Sequence, residues 1–311
     1  MGSGTELWID TAVAINLFGR GRVGSGLDFC PNGSDKRSSQ RSGSSSNSPS
    51  LMDSRFTTSH NGSNATCRTL QMPDAQRLFR TIDATWPAAR MLAAGPWTLR
   101  EGHGGGKRVS AATASGQVAP EDVPAAEEAM RLLGQNPVFM IRQKDQALDA
   151  ALADRGYRRV DPVNLYRCKV HDLTNLSLPP VSVFHIWEPL AIMREIWEQG
   201  GVGPARQAIM ERARAPRTGL FGRIDNKPAA AAFVGLHDGV AMLHALETLP
   251  EHQRKGLGKW MVRAAAHWAS DWGATWLTTL CVQDNRPGNK LYQSLGMEVV
   301  AQYHYRMPAT A

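Results

Sequence analysis

The sequence predicts an α+β (α/β) fold: a mixed, mostly antiparallel twisted sheet flanked by helices, with one such unit duplicated along the chain. Three observations carry the prediction. Between residues 220 and 249, three apolar runs alternate with the turns Asp225-Asn226-Lys227 and His237-Asp238-Gly239, whose side chains suit tight hairpins. Just beyond them, Leu257, Met261, Ala264, Ala265, Trp268 and Trp272 recur at helical spacing and draw one apolar stripe, leaving Lys259, Arg263 and Asp271 largely off it. Finally, residues 139–142, a helix, Gly156-Tyr157 and Tyr166-Arg167 are echoed about 140 residues later by residues 277–280, a helix, Gly296-Met297 and Tyr305-Arg306.

Residues 1–70 stand apart. The stretch 31–50 is nearly all Ser, Asn, Gly, Lys and Arg; it buries too little to offset the entropy of ordering and reads as part of a disordered extension. Met52 and Met72 would serve as alternative starts, and the sequons at Asn61 and Asn64 read as chance matches. Residues 74–94 predict a helix interrupted at Trp86-Pro87. Residues 97–100 and 109–113 then read as a hairpin around the glycine-rich turn 102–106. That turn misses the phosphate-loop pattern, since Glu101 stands five residues before Gly106 and Arg108 follows Lys107. A helix at 125–133, a strand at 138–142, a helix at 146–153 and strands at 157–160 and 164–170 complete a first half, residues 71–170. Residues 171–180, with Pro179-Pro180, read as a linker.

The second half, residues 181–311, opens with short helices at 189–199 and 204–213. The meander follows, then the amphipathic helix closed by Gly273 and a strand at 276–282. A helix with Pro287 in its first turn ends at Gly296, and the last strands run through 297–300 and 303–307.

Composition narrows the function. A formal net charge of +7 is modest for 311 residues and comes without dense basic runs, which argues against a nucleic-acid partner. Cys30, Cys67, Cys168 and Cys281 show no CxxC spacing, so no metal site or redox motif is expected and a reduced, cytoplasmic setting is. The roughly eighteen consecutive apolar residues of a membrane helix are missing, and residues 11–18 are too short and polar-interrupted for a signal segment. The oligomeric state leaves no mark on the sequence.

Two segments carry chemistry. In the first, Pro250-Glu251-His252-Gln253-Arg254-Lys255-Gly256-Leu257-Gly258 joins a strand to the amphipathic helix. Gly256 and Gly258 put no side chain in the way of the amides of residues 254–259, the helix dipole favours an anion there, and Arg254, Lys255 and Lys259 add positive charge. A pyrophosphate suits such a place; a basic turn capped by glycines is the plainer alternative. In the second, Asn285-Arg286-Pro287-Gly288-Asn289-Lys290-Leu291-Tyr292-Gln293-Ser294-Leu295-Gly296-Met297 opens the next helix after one intervening strand.

Together these segments resemble the paired motifs of the GNAT (GCN5-related N-acetyltransferase) superfamily. Residues 253–258 are similar to its Q/R-x-x-G-x-G/A motif and residues 285–297 to its Asn-x-x-(Ala/Gly)-x-x-Leu-Tyr-x-x-Leu-Gly-Phe motif. Thr248, Gly288 and Met297 depart from the family's usual Val, Ala and Phe. The resemblance implies the GNAT acyl-CoA N-acyltransferase fold, acetyl-CoA as cosubstrate and no metal. It implies that Gln253, Arg254, Lys255, Gly256, Leu257, Gly258 and Lys259 hold the pyrophosphate, that Leu246 and Thr248 pair through their backbones with the pantetheine arm, and that Asn285 helps to hold that arm. Tyr292 would be the general acid for the departing thiolate, and a strand amide at Thr248 would stabilise the oxyanion.

An alkyl ammonium must lose a proton before it attacks a thioester, so a base is also needed. Glu247, a carboxylate near the end of an apolar strand, is the candidate, directly or through water. His244 competes, although a regular strand would point it to the opposite face unless a bulge intervenes. His252 reads as a turn residue and Cys281 as a buried one. The first half lacks the 253–258 motif and has Leu152 where the second has Tyr292, so it reads as a degenerate, non-catalytic copy packed on the active one.

The expected activity is transfer of an acetyl group to a primary amine, by default that of a small molecule. The alternatives are a protein or peptide N-acetyltransferase and, from another class, a non-catalytic acyl-CoA-binding sensor. A nucleic-acid-binding module is the weakest rival.

Overall fold

Eight strands, drawn from both halves of the chain, form one continuous sheet. The computed structural model describes residues 71–214 and 216–309, so the readings made for residues 1–70 lie outside it. Helix α1 (Ala75–Thr85) starts at Asp74, whose carboxylate accepts from the Arg77 amide at 2.7 Å. It stops at Trp86, which precedes Pro87 and so disfavours helical backbone. The helix therefore does not extend towards residue 94. Strands β1 (Arg90–Ala94) and β2 (Trp97–Glu101) form a hairpin that turns at Gly95. The first two residues of the expected second strand, Val109 and Ser110, lie in a short helix, α2 (Lys107–Ser110), while Thr113 at its end does pair with β2. Strand β3 (Thr113–Ala114) completes this small three-stranded sheet.

Helix α3 (Val123–Leu132), strand β4 (Phe139–Arg142), helix α4 (Gln146–Asp154) and strand β5 (Tyr157–Lys169) follow. The expected linker begins inside one helical turn, α5 (Val170–Leu173). Then come β6 (Val183–Ile186), which the sequence pattern did not suggest, α6 (Ala191–Gln199), α7 (Pro204–Arg212), β7 (Arg217–Ile224), β8 (Lys227–His237) and β9 (Val240–Thr248). Helix α8 (Leu257–Asp271), β10 (Trp276–Val282), α9 (Arg286–Ser294) and β11 (Glu298–Pro308) close the chain.

The large sheet has the order β4-β11-β5-β10-β9-β8-β7-β6, antiparallel throughout except for the parallel β9–β10 pair. Its centre shows where the sequence echo leads. β5 pairs with β10, running Leu165–Cys168 against Leu280–Leu277, and β11 pairs with β4, running Tyr303–Arg306 against Arg142–Phe139. Each half thus lends its last strand to the other, and the two lent strands pair with each other. Each carries an irregularity in register, so the strand pairs read as 157–160 with 164–170, and as 297–300 with 303–307, are single bulged strands. This approximate two-fold pattern is consistent with internal duplication. The segment 171–180 does not separate two sheets.

Helix α8 buries Leu257, Met261, Val262, Ala264, Ala265 and Trp268 in one core cluster with the strands beneath, and each large side chain contributes roughly 1.5–3 kcal/mol. Trp272 does not join them: it lies past the last helical residue and is 56% exposed.

Candidate active site

The site grows from the β9–β10 junction. The two strands pair only from Val240–Leu243 against Trp276–Thr279, where the hydroxyls of Thr278 and Thr279 donate to the carbonyls of Ala241 and Leu243. Past that point β9 keeps β8 as its partner and β10 keeps β5. The β9 edge beyond Leu243, including Leu246 and Thr248, is therefore not paired to β10.

Here β9 also carries a bulge. Phe233 pairs with His244 and Ala231 with Glu247, so two steps along β8 face three along β9, and Ala245 takes φ +48°. The indole Nε1 of Trp197 on α6 donates to the Ala245 carbonyl at 2.9 Å. The bulge breaks the alternation that would have set His244 and Glu247 on opposite faces. His244 lies under the end of α1, with its ring 5.0 Å from Trp86 and its Nε2 2.8 Å from the Thr85 hydroxyl. Burial, with Arg108 nearby, holds its imidazole well below the usual range, so it is neutral.

Glu247 lies under the end of α6. It is 2% exposed and lines a cavity of about 310 Å³ with Ile196, Gln199, Gly200, Thr248, Leu249, Pro250 and Gln253. A Cβ at Gly200 would stand 2.5 Å from the Glu247 carboxylate, so the glycine makes room for that side chain. Of the two base candidates, Glu247 is the one that reaches the cavity.

After β9 a 3-10 turn, Pro250–His252, leads into the motif, and His252 sits in that turn as expected. The Gln253 side-chain amide donates to the Thr248 carbonyl at 3.1 Å, which ties the loop back to the strand. Arg254 (φ +61°) and Gly256 (φ +85°) adopt left-handed backbone, and only the latter does so without a Cβ penalty. Helix α8 then starts at Leu257, so its first amides face away from the helix body, with Arg254, Lys255 and Lys259 exposed around them. Gly258 also lies against α9: a Cβ there would meet Leu291 at 3.2 Å, so the glycine lets the two helices come together.

Tyr292 is fully buried on α9, its ring 5.3 Å from Tyr166 of β5. Burial raises its hydroxyl above the ordinary tyrosine range, and Cys281 and Glu247 act in the same direction, which places Glu247 within electrostatic reach. Cys281 is buried as expected, its thiol pushed up to about 12 by burial. Asn285 caps α9, its side chain accepting from the Gly288 amide at 2.9 Å.

Sequence reasoning missed Asn289. Its amide nitrogen donates to the carbonyls of Val282, Gln283 and Asn285, and its oxygen accepts from Asn164 and from the Tyr166 hydroxyl at 2.7 Å. It ties β10, α9 and the borrowed strand β5 together. A second asparagine one turn after Asn285 was the available signal.

Residues 183–297 match the family model described as "Acetyltransferase (GNAT) family". The chain carries a GNAT acetyltransferase domain. Acyl transfer is the chemistry of that family, and the bulge, the loop and Tyr292 all lie inside the matched segment. A Bacillus subtilis protein named "Uncharacterized N-acetyltransferase YobR" is 26% identical over 245 residues, covering 76% of this chain and 99% of the relative. The match therefore extends beyond the GNAT segment into the first half.

Two solved structures share the fold. A GCN5-related N-acetyltransferase from Kribbella flavida has a TM-score of 0.57 at 20% identity, covering 77% of this chain and 97% of that one. A functionally unknown conserved protein from Staphylococcus epidermidis has a TM-score of 0.58 at 10% identity, covering 73% and 96%. Among the described residues no group of three or more His, Cys, Asp or Glu side chains could hold a metal ion, and no helix is long and apolar enough to cross a membrane.

Proposed function

We propose that this protein is an acetyl-CoA-dependent N-acetyltransferase that acetylates the primary amine of a small molecule, with Glu247 as base and Tyr292 as acid. One observation carries the reading: a buried carboxylate, given room by Gly200, faces a cavity of about 310 Å³ beside the point where β9 stops pairing with β10. That volume is at the small end of ligand pockets, which favours a small acceptor.

The residues present fit the cosubstrate. The start of α8, with left-handed Gly256 and three exposed cations, suits a pyrophosphate, and the β9 edge at Leu246 and Thr248 suits a strand-like amide arm. Asn285 would support that arm from the start of α9. Acetyl-CoA supplies a thioester carbonyl carbon and a thiol leaving group.

Glu247 takes the proton that the acceptor ammonium must lose, freeing the nitrogen lone pair to form the C–N bond as the C–S bond breaks. Tyr292 keeps its proton across the working pH range and delivers it to the departing sulfur. The buried, free thiols of Cys168 and Cys281 are consistent with a reducing cytoplasmic setting.

The test is CoA release by thiol titration with a panel of small amines and peptides, comparing wild type with Glu247→Gln and Tyr292→Phe. Each substitution should lower kcat by roughly 10²–10⁴-fold. Acetyl-CoA binding without amine-dependent release of CoA by wild type would instead indicate a sensor.

A further inference from the structure

We propose that Thr85, in the first half of the chain, is a positioning residue for catalysis in the second: through His244 it fixes the bulge that aims Glu247 into the cavity. The proposal rests on reading Glu247 as the base.

The hydrogen-bond geometry assigns every proton involved. The Thr85 hydroxyl oxygen lies 2.7 Å from the Thr81 carbonyl and 2.8 Å from His244 Nε2. A carbonyl only accepts, so the single hydroxyl proton goes to Thr81, and Thr85 must accept from His244. The imidazole therefore carries a proton on Nε2, and its burial favours the neutral form, in which Nδ1 carries none. Trp86 and Phe233, in contact with each other, pack against the ring at 5.0 and 6.1 Å.

The next residue is Ala245, the left-handed centre of the bulge, whose carbonyl is taken by Trp197. The bulge is thus pinned at adjacent residues, His244 to α1 and Ala245 to α6. Glu247 follows two residues on. Helix α1 comes this close because β8 offers Gly235 beneath it, where a Cβ would stand 2.8 Å from the Thr85 Cβ. At its other end, Arg77 is tied to Asp238 in the β8–β9 turn, so α1 spans the strand pair that carries the bulge. None of α1 lies in the segment matched by the family model, which starts at residue 183.

The experiment compares Thr85→Val, Thr85→Ser and wild type as full chains, well below their unfolding temperatures, and repeats Thr85→Val in a Glu247→Gln background. Thr85→Val should lower kcat about tenfold while leaving the KM for acetyl-CoA within about twofold, since a misaimed base costs rate rather than cosubstrate binding. Thr85→Ser should restore most of the rate. With Glu247 already replaced, Thr85→Val should add less than about twofold, because the two residues act in series. An unchanged kcat in folded Thr85→Val, or a full tenfold loss on top of Glu247→Gln, would overturn the proposal.

Imidazole ¹⁵N shifts of His244 give a readout independent of turnover. A proton on Nδ1, or an imidazole that titrates between about pH 6 and 8, would overturn it as well. Wild type that releases no CoA to any amine would sink the reading of Glu247, while the ¹⁵N shifts still decide the Thr85–His244 contact.

Discussion

Helix α8 in the second half and helix α3 in the first begin alike and end up with opposite capacities. Each follows a strand that makes a parallel contact: β9 with β10, and Ala112 beside β3 with Phe139 of β4. Each is then introduced by a proline-led 3-10 turn, Pro250-Glu251-His252 or Pro120-Glu121-Asp122. From there they diverge. Pro120–Asp122 runs straight into α3, with Glu121 and Asp122 at the helix start and the Asp122 carboxylate accepting from the Ala119 amide. The second half instead inserts Gln253-Arg254-Lys255-Gly256 before its helix. A helix N-terminus attracts anions through its dipole, but two carboxylates already use that field in α3, whereas three cations reinforce it in α8. The same scaffold therefore holds one end suited to a pyrophosphate and one unsuited to it, and a few residues make the difference.

The most severe way to break this contrast is to give α8 the charge of α3. Reversing Arg254, Lys255 and Lys259 to Glu together should weaken acetyl-CoA binding by roughly 30–1000-fold, summing dipole and charge contributions at the three positions. Isothermal titration would measure it. Far-ultraviolet circular dichroism should be unchanged, since all three side chains are exposed. Binding within about threefold of wild type would remove the loop from the cosubstrate site.

Next in size is Gly200→Ala. The new Cβ would overlap the Glu247 carboxyl group, the mobile end of a side chain, so that group moves rather than the backbone. A drop in kcat of about tenfold or more is expected with a stability change below about 1 kcal/mol. Equal kcat in the variant would mean that the position of Glu247 is immaterial to the reaction.

The first of these variants acts where the sequence was readable, whereas the room that Gly200 makes for Glu247 was visible only in the structure. The meander, α8 and the two motifs were legible because hairpin-turn chemistry, a 3.6-residue period and glycine spacing are local signals. Residues 90–94 and 102–112 were misread because their shape is set at a distance. The glycine-rich loop 102–106 packs on α7, where a Cβ at Gly105 would meet Ile209 at 2.7 Å, and no nearby residue announces that contact. The bulge at Ala245 is likewise marked by neither glycine nor proline, since Trp197 and Thr85 hold it from far along the chain. The exchange of β5 and β11 was foreshadowed only by the echo between the halves, which gives similarity but not pairing.

Acid should distinguish the packed surroundings of His244 from an ordinary surface. Burial depresses the folded-state affinity of His244 for a proton, and His304 is shifted the same way, its burial outweighing the pull of Asp149. An unfolded histidine near ~6.5 takes up a proton that the folded one refuses, so stability is intact above that pH and declines below it. The slope is about 1.4 kcal/mol per pH unit for a fully buried histidine such as His244. Urea unfolding at pH 7.5 and 5.5 should show the loss, and His244→Asn should flatten it by about one proton. A stability that rises on acidification would contradict a neutral, buried His244.

The smallest expected effect separates two roles of Asn285. Its side chain caps α9 through the Gly288 amide, and in the proposed mechanism it also supports the cosubstrate arm. Asn285→Ala should cost about 1 kcal/mol of stability through the lost cap and should weaken acetyl-CoA binding as well. Asn285→Asp keeps an acceptor for the Gly288 amide, so the melting temperature should stay near wild type. It replaces the amide donor with a carboxylate, so cosubstrate affinity should still fall. The Asp variant therefore isolates the ligand role from the cap. Were it to bind acetyl-CoA as wild type does, Asn285 would be a cap alone, and support for the arm would have to come from the β9 edge.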